Sequence, residues 1–144
     1  MVYLVYGPPC SGKTTYVREH MKRGDIVSDV DDLYAAISGA DPHNAEDINV
    51  HDTAILLNEA LLDMIRDRRG KWKNAFVISL ANTEKRVRDA MERVNADEAV
   101  FIDTPPEVCM QRAQTERPFY FRWVIEDWFM TGDFFDVESS NNAK

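Results

Sequence analysis

The sequence is short of every feature that would take it out of the ordinary globular class. Only two cysteines, Cys10 and Cys109, occur in 144 residues. Two thiols so far apart make no disulfide framework, and reduced thiols suit an intracellular protein. No apolar run nears the ~20 residues of a membrane-crossing helix, so no membrane association is expected. The first apolar run begins at Val2, leaving no room for a leader, and a cytoplasmic location is the expectation. Positive charge is scarce as well: 17 Lys and Arg stand against 25 Asp and Glu, a formal net charge of −8. That argues against the basic face by which proteins grip extended duplex nucleic acid. It leaves room for a local anion site, since a few arginines and one helix start hold phosphate whatever the overall charge. Repeats and linkers are absent, and 44% apolar with 29% charged residues fits one compact domain. That domain is expected over residues 1–137, with the polar stretch 138–144 (ESSNNAK) as a frayed tail.

What is present alternates. Val2–Tyr6 (VYLVY) is a short continuous apolar run, the mark of a strand covered on both faces. Residues 25–29, 75–79 and 99–103 read as three further strands. Between them lie helical stretches over residues 13–22, 30–38, 53–67, 83–94, 105–115 and 123–130, while the polar stretch 40–52 reads as a loop. In the helix over 53–67, Ile55, Leu56, Ala60, Leu61, Met64 and Ile65 form the expected apolar stripe. The fold class that follows is α/β: a three-layer, mostly parallel sheet of four or five strands with helices on both faces. Ligands of such sheets bind beyond the carboxyl ends of the strands, and every candidate residue below falls at such an end.

The first of these ends carries Gly7-Pro8-Pro9-Cys10-Ser11-Gly12-Lys13-Thr14, a complete G-x-x-x-x-G-K-[ST] phosphate loop between a strand and a helix. Gly7 and Gly12 allow backbone angles and close approaches that a side chain blocks. Successive amides through Thr15, with the helix start behind them, converge on phosphate oxygens. Lys13 is placed for the β- and γ-phosphates of ATP, and the Thr14 hydroxyl for Mg²⁺. Cys10 either carries an activated thiol near a helix N-terminus or simply tolerates the loop geometry.

Ser28-Asp29-Val30-Asp31-Asp32 follows the second strand. If the extended conformation runs on, Asp29 and Asp31 point to one side and Asp32 to the other. Asp31 is the foremost candidate to take a proton from an incoming hydroxyl or to hold a metal-bound water, with Asp29 beside it. Asp32 reads as a helix cap. After the fourth strand, Arg112, Arg117 and Arg122 are candidates to meet the charge on a transferred phosphoryl group. Pro118 ends the helix near Arg117 and puts that arginine on a loop, with pairing to Glu107 or Glu116 as the plainer alternative. The aromatics Phe119, Tyr120, Phe121, Trp123, Trp128 and Phe129, with Phe134 and Phe135 beyond, serve either a base-stacking site or, for most of them, the packing of the last helix. The basic run over residues 66–73 suits a helix C-terminus.

GPPCSGKTT, DVDDLY and AVFIDTPPEVCMQRAQTER together resemble the P-loop kinases of the adenylate-kinase-like and polynucleotide 5′-kinase group, including small phage-encoded members. The resemblance spans about residues 1–117. It implies ATP as phosphoryl donor with Mg²⁺, Asp31 as the base toward a 5′-hydroxyl, and Arg117, preceded on its helix by Arg112, as the group assisting transfer. Two positions depart from that group. Tyr34 and Ala35 stand where it carries a phosphate-holding arginine, and Ser79-Leu80-Ala81-Asn82 lacks the acidic residue that often ends the third strand. Metal support then falls to Thr14 with Asp29 or Asp31. The expected activity is transfer of the γ-phosphoryl group to a nucleoside, nucleotide or nucleic-acid 5′ end. Transfer to a small non-nucleotide metabolite, or a nucleotide-binding NTPase or regulatory role without kinase activity, are the alternatives.

Overall fold

A computed structural model describes residues 1–39 and 47–133. In chain order its elements are β1 (Val2–Tyr6), α1 (Lys13–His20), β2 (Ile26–Ser28), α2 (Val30–Ser38), α3 (Ile48–Arg66), β3 (Ala75–Ser79), α4 (Glu84–Val94), β4 (Glu98–Phe101), α5 (Pro106–Glu116) and α6 (Phe121–Thr131). Among the described residues the four strands form one all-parallel sheet in the order β2-β3-β1-β4. The expected α/β class with a parallel sheet is the observed one.

Strand alternation explains the three layers. Val2 and Leu4 of β1, with Ala75 and Val77 of β3, turn to one face and pack with Ile65 of α3 and Val87 and Val94 of α4. Val5 and Phe76, the neighbours in sequence, turn to the other face and meet Val17 of α1. A third cluster, Cys109, Ala113 and Ile125, joins α5 to α6. Because β1 lies inside the sheet with β3 and β4 on its two sides, the loop leaving its carboxyl end sits over the middle of the sheet edge where these folds bind ligands.

Several boundaries differ from the sequence reading, each for a local reason. β2 ends at Ser28 because the Asp29 side chain turns back to accept from the Asp31 amide at 3.0 Å and starts α2. Asp29 is therefore the cap that was assigned to Asp32, and Asp31 and Asp32 stand in the first helical turn rather than on opposite sides of a strand. Residues 48–52, read as loop, are the first turn of α3. Asp47 Oδ1 accepts from the amides of Asn49 and Val50 at 2.9 and 3.2 Å and begins the helix there. With α3 starting earlier, its inward stripe runs through Ala54, Asn58, Leu61 and Ile65, while Leu56 is 70% exposed and Met64 40%. The expectations for residues 40–46, for Phe134 and Phe135 and for the tail 138–144 lie outside the described residues.

The basic run after α3 does suit a helix end. Arg68, at φ 54°, donates to Ile65 O and Val94 O at 2.9 Å and to Asn95 O at 2.7 Å, so one guanidinium holds the carboxyl ends of α3 and α4 together.

Candidate active site

The phosphate loop is shaped by the contacts around it. A Cβ on Gly7 would come within 2.7 Å of Ile102 O, so only glycine lets this turn close against the chain leaving β4. Gly12 sits at φ 100°, in the left-handed region, as the residue preceding α1. Cys10 takes φ 62° as well, a conformation that costs a non-glycine residue about 1–2 kcal/mol. The loop is braced by the chain that follows β4, the neighbouring strand: Thr104 Oγ1 donates to Ser11 O at 2.7 Å, and Arg112 Nη1 donates to Cys10 O at 3.1 Å. The first bond of α1 runs from Tyr16 N to Gly12 O, which leaves the amides of residues 13–15 as helix-start donors facing the same space.

Lys13 is 7% exposed, and its ammonium donates to Gly7 O at 2.8 Å and Pro8 O at 2.7 Å. Burial pulls its pKa down to about 8, while Cys109, Cys10, Asp29 and Asp31 oppose that fall. Asp29 is pushed up to about 6, first by burial and then by the charges of Asp31 and Asp32, with the Asp31 amide and Lys13 acting the other way. Burial raises the Cys10 thiol despite Arg117, Lys13 and Arg112 nearby, which matches the plainer reading of that residue rather than an activated thiol.

These groups line one open cleft of about 1290 Å³. Its walls include residues 9–15 of the loop and α1, Arg18 and Glu19 farther along α1, Asp29 and Asp31 at the start of α2, and His51 and Ile55 of α3. Ser79 and Leu80 after β3, and Arg112, Glu116, Arg117 and Phe121 of the late helices, complete it. Gly7 and Pro8 stand behind that wall, where their carbonyls take the Lys13 ammonium. Arg117 caps α5 as the loop reading expected; it lies within 3.7 Å of Glu116 and 5.9 Å from the centre of the Phe121 ring. Arg122 is turned elsewhere, toward Glu126 at 3.9 Å and the Phe119 ring, and is absent from the cleft wall. The aromatics divide. Phe121, Trp128 and Phe129 pack inward or line the cleft, whereas Phe119 and Trp123 are 72% and 56% exposed.

Three features stand outside the site residues drawn from the sequence, which places His51 beside a possible acceptor pocket but favours an exposed loop position for it. His51 and Ile55 reach the cleft because α3 begins at residue 48, and Asp47 ahead of Val50 and Ala54 is the capping signal that marks this start. Arg18 reaches it by helical spacing from Thr14 and Thr15. Asn82 is the third: buried, it donates to Trp128 O at 2.9 Å and Thr131 Oγ1 at 2.7 Å and accepts from Arg86 at 2.6 Å. It anchors α6 to the end of β3. No local pattern announces that role.

A family model described as an AAA domain matches residues 2–118, which span the phosphate loop, the aspartates and the three cleft arginines. The chain belongs to that family. The match is of the P-loop kinase-like kind implied by GPPCSGKTT and DVDDLY. No curated protein sequence matches this AAA-domain chain. Among solved structures it is similar to a chain of the Pnkp1/Rnl/Hen1 RNA repair complex, at TM-score 0.59 and 17% identity over 92% of its own length. It spans only 46% of that longer chain. It is also similar to shikimate kinase from Acinetobacter baumannii in complex with shikimate, at TM-score 0.57 and 19% identity, covering 90% of this chain and 74% of that one. At these identities the likeness establishes the fold.

The donor set fits a magnesium nucleotide. Ser11 Oγ is buried inside the loop, against Gly7, with no hydrogen-bond partner, an unsatisfied polar atom in a segment whose amides suit anionic oxygens. Among the described residues no three of His, Cys, Asp and Glu gather as a metal cage. Mg²⁺ is ordinarily held by one or two protein oxygens together with phosphates and water, which Thr14 with Asp29 or Asp31 can supply.

Proposed function

We propose that this chain, as a single kinase domain over residues 1–137, is an ATP-dependent phosphotransferase acting on a hydroxyl acceptor. The observation that carries the reading is the meeting of Lys13, Asp29, Asp31, Arg112 and Arg117 around one cleft at the carboxyl end of a parallel sheet. Loop amides and Lys13 hold the β- and γ-phosphates of ATP. Thr14 with Asp29 or Asp31 would hold Mg²⁺, which would supply neutralisation of the phosphate charge. Asp31 takes the proton from the acceptor hydroxyl as its oxygen bonds to the γ-phosphorus. The bond to the β–γ bridging oxygen breaks, and ADP leaves with that electron pair. Arg112, held on the loop by Cys10 O, and Arg117, at the hinge before Pro118, meet the charge on the equatorial oxygens.

The acceptor is a nucleoside, nucleotide or nucleic-acid 5′-hydroxyl; a small non-nucleotide alcohol is the second reading, favoured by the absence of a phosphate-holding arginine at Tyr34 and Ala35. Transfer of label from γ-labelled ATP to nucleosides, mononucleotides, 5′-hydroxyl oligonucleotides and alcohols tests both. Asp31→Asn is expected to spare ATP binding and to slow transfer at least ~10²-fold. A wild-type rate in that variant moves the base to Asp29 or Asp32, and label found only as free phosphate replaces the kinase reading with an NTPase.

A further inference from the structure

A phosphate loop can aim its amides at one ligand only if its carbonyls point elsewhere and find donors there. Lys13 serves Gly7 O and Pro8 O, Arg112 Nη1 serves Cys10 O, and Tyr16 N begins α1 on Gly12 O. Ser11 O, in the middle of this run, is served by Thr104 Oγ1 at 2.7 Å. Of these donors only Thr104 lies outside both the loop motif and the cleft wall. It stands half-buried in the connection from β4 to α5. Its own amide donates to Ile102 O at 3.1 Å, and its carbonyl accepts from the buried Cys109 thiol at 3.8 Å. The hydroxyl is thus presented from a backbone that is itself held.

Ser11 O belongs to the peptide whose N–H is that of Gly12, and in a trans peptide the two point in opposite directions. Tying Ser11 O to Thr104, outside the cleft, turns the Gly12 amide toward the cleft, whose wall includes Gly12. Among the described residues that amide has no acceptor. Nothing within the loop fixes this orientation. Gly12 stands at φ 100° and, as a glycine, takes positive and negative φ alike, so the peptide before it can turn over once its carbonyl is released. The Ser11 hydroxyl gives no help, being buried against Gly7 without a partner. We infer that Thr104 is a positioning residue: through Ser11 O its hydroxyl keeps the Gly12 amide aimed at the nucleotide phosphates, and so sets affinity for ATP·Mg²⁺ without touching the nucleotide. The inference rests on the phosphate-binding part of the kinase reading.

Thr104→Val keeps the shape of the side chain and removes the donor. In the full chain, the dissociation constant for ATP·Mg²⁺ is expected to rise about tenfold or more by calorimetry, the worth of one hydrogen bond to a charged phosphate. Thr104→Ser keeps the hydroxyl and is expected to stay within about threefold of wild type. A purely structural threonine would lower the melting temperature of the valine variant and leave its nucleotide affinity alone. Equal affinity in a folded Thr104→Val protein therefore overturns the inference and leaves the kinase reading standing. Thr104→Ala takes its place should the valine variant misfold; if neither folds, the residue supports the whole domain and the inference is lost. If the wild-type chain itself binds no ATP·Mg²⁺, the kinase reading fails separately. The peptide orientation is then read from the Gly12 amide resonance in isotope-labelled protein. A resonance that shifts or broadens in Thr104→Val and returns in Thr104→Ser upholds the positioning role, and one that does not move overturns it.

Discussion

Lys13 is a buried cation whose nearest bonded neighbours are two carbonyls, and its pKa of about 8 makes the site sensitive to mild alkali. Nucleotide binding needs the ammonium form. Affinity for ATP·Mg²⁺ is therefore expected to be level around pH 7 and to weaken up to tenfold per pH unit above about 8, as followed by calorimetry; Lys13→Ala is expected to bind poorly at every pH. Asp29 carries the opposite kind of mismatch. Its carboxyl is held at about 6 in the fold against 3.8 ordinarily, so the native state takes up a proton more readily than the unfolded chain. The stability this group contributes is full below about pH 4 and is lost as pH rises through about 6. Asparagine caps a helix as well as aspartate does, and Asp29→Asn removes the buried charge while keeping the bond to the Asp31 amide. In metal-free buffer the variant is expected to melt a few degrees above wild type at pH 7.5, with the difference vanishing near pH 4. A lower melting point at pH 7.5 would show that the cap, not the charge, dominates at this residue.

Among the elements, α6 is held on α5 by the cluster around Ile125 and on the end of β3 by a polar lock. Besides the Asn82 bonds, Trp128 Nε1 donates to Leu80 O at 2.8 Å, and the Glu84 amide that begins α4 lies 3.1 Å from Asp133 Oδ1. Truncating a buried amide that serves three partners leaves those partners unsatisfied, a loss of about 1–3 kcal/mol. Asn82→Ala is expected to lower stability by about 2 kcal/mol in denaturant titration and to raise hydrogen exchange in α6 before the sheet. Uniform loss of protection across β1 and β3 would mean that Asn82 supports the whole fold instead. Element boundaries were where sequence reading went astray, most widely at two aspartate caps. Asp29 and Asp47 end one conformation and start another by turning a carboxylate onto an amide two residues ahead, a choice that hydrophobic periodicity does not register.

At the scale of the whole molecule, binding and stability are linked, because the phosphate site is assembled from β1, the β4–α5 connection and α5 and exists only in the folded chain. ATP·Mg²⁺ at a hundredfold excess over its dissociation constant is expected to add about 2.7 kcal/mol, or roughly 8 °C in melting temperature for a domain of this size. The Lys13→Ala protein is expected to show almost no such shift, and an equal shift in both would place the nucleotide elsewhere. The sequence by itself determined the parallel α/β class and the phosphate loop, since alternation of apolar runs and the backbone demands of glycines are local properties, written residue by residue. Which side chains share the cleft was decided only by tertiary structure. Arg112 meets Cys10 across 102 positions of chain, and His51 and Ile55 come beside Asp31 through the packing of α2 on α3. Contacts of this kind depend on distance through space, which no count along the chain contains.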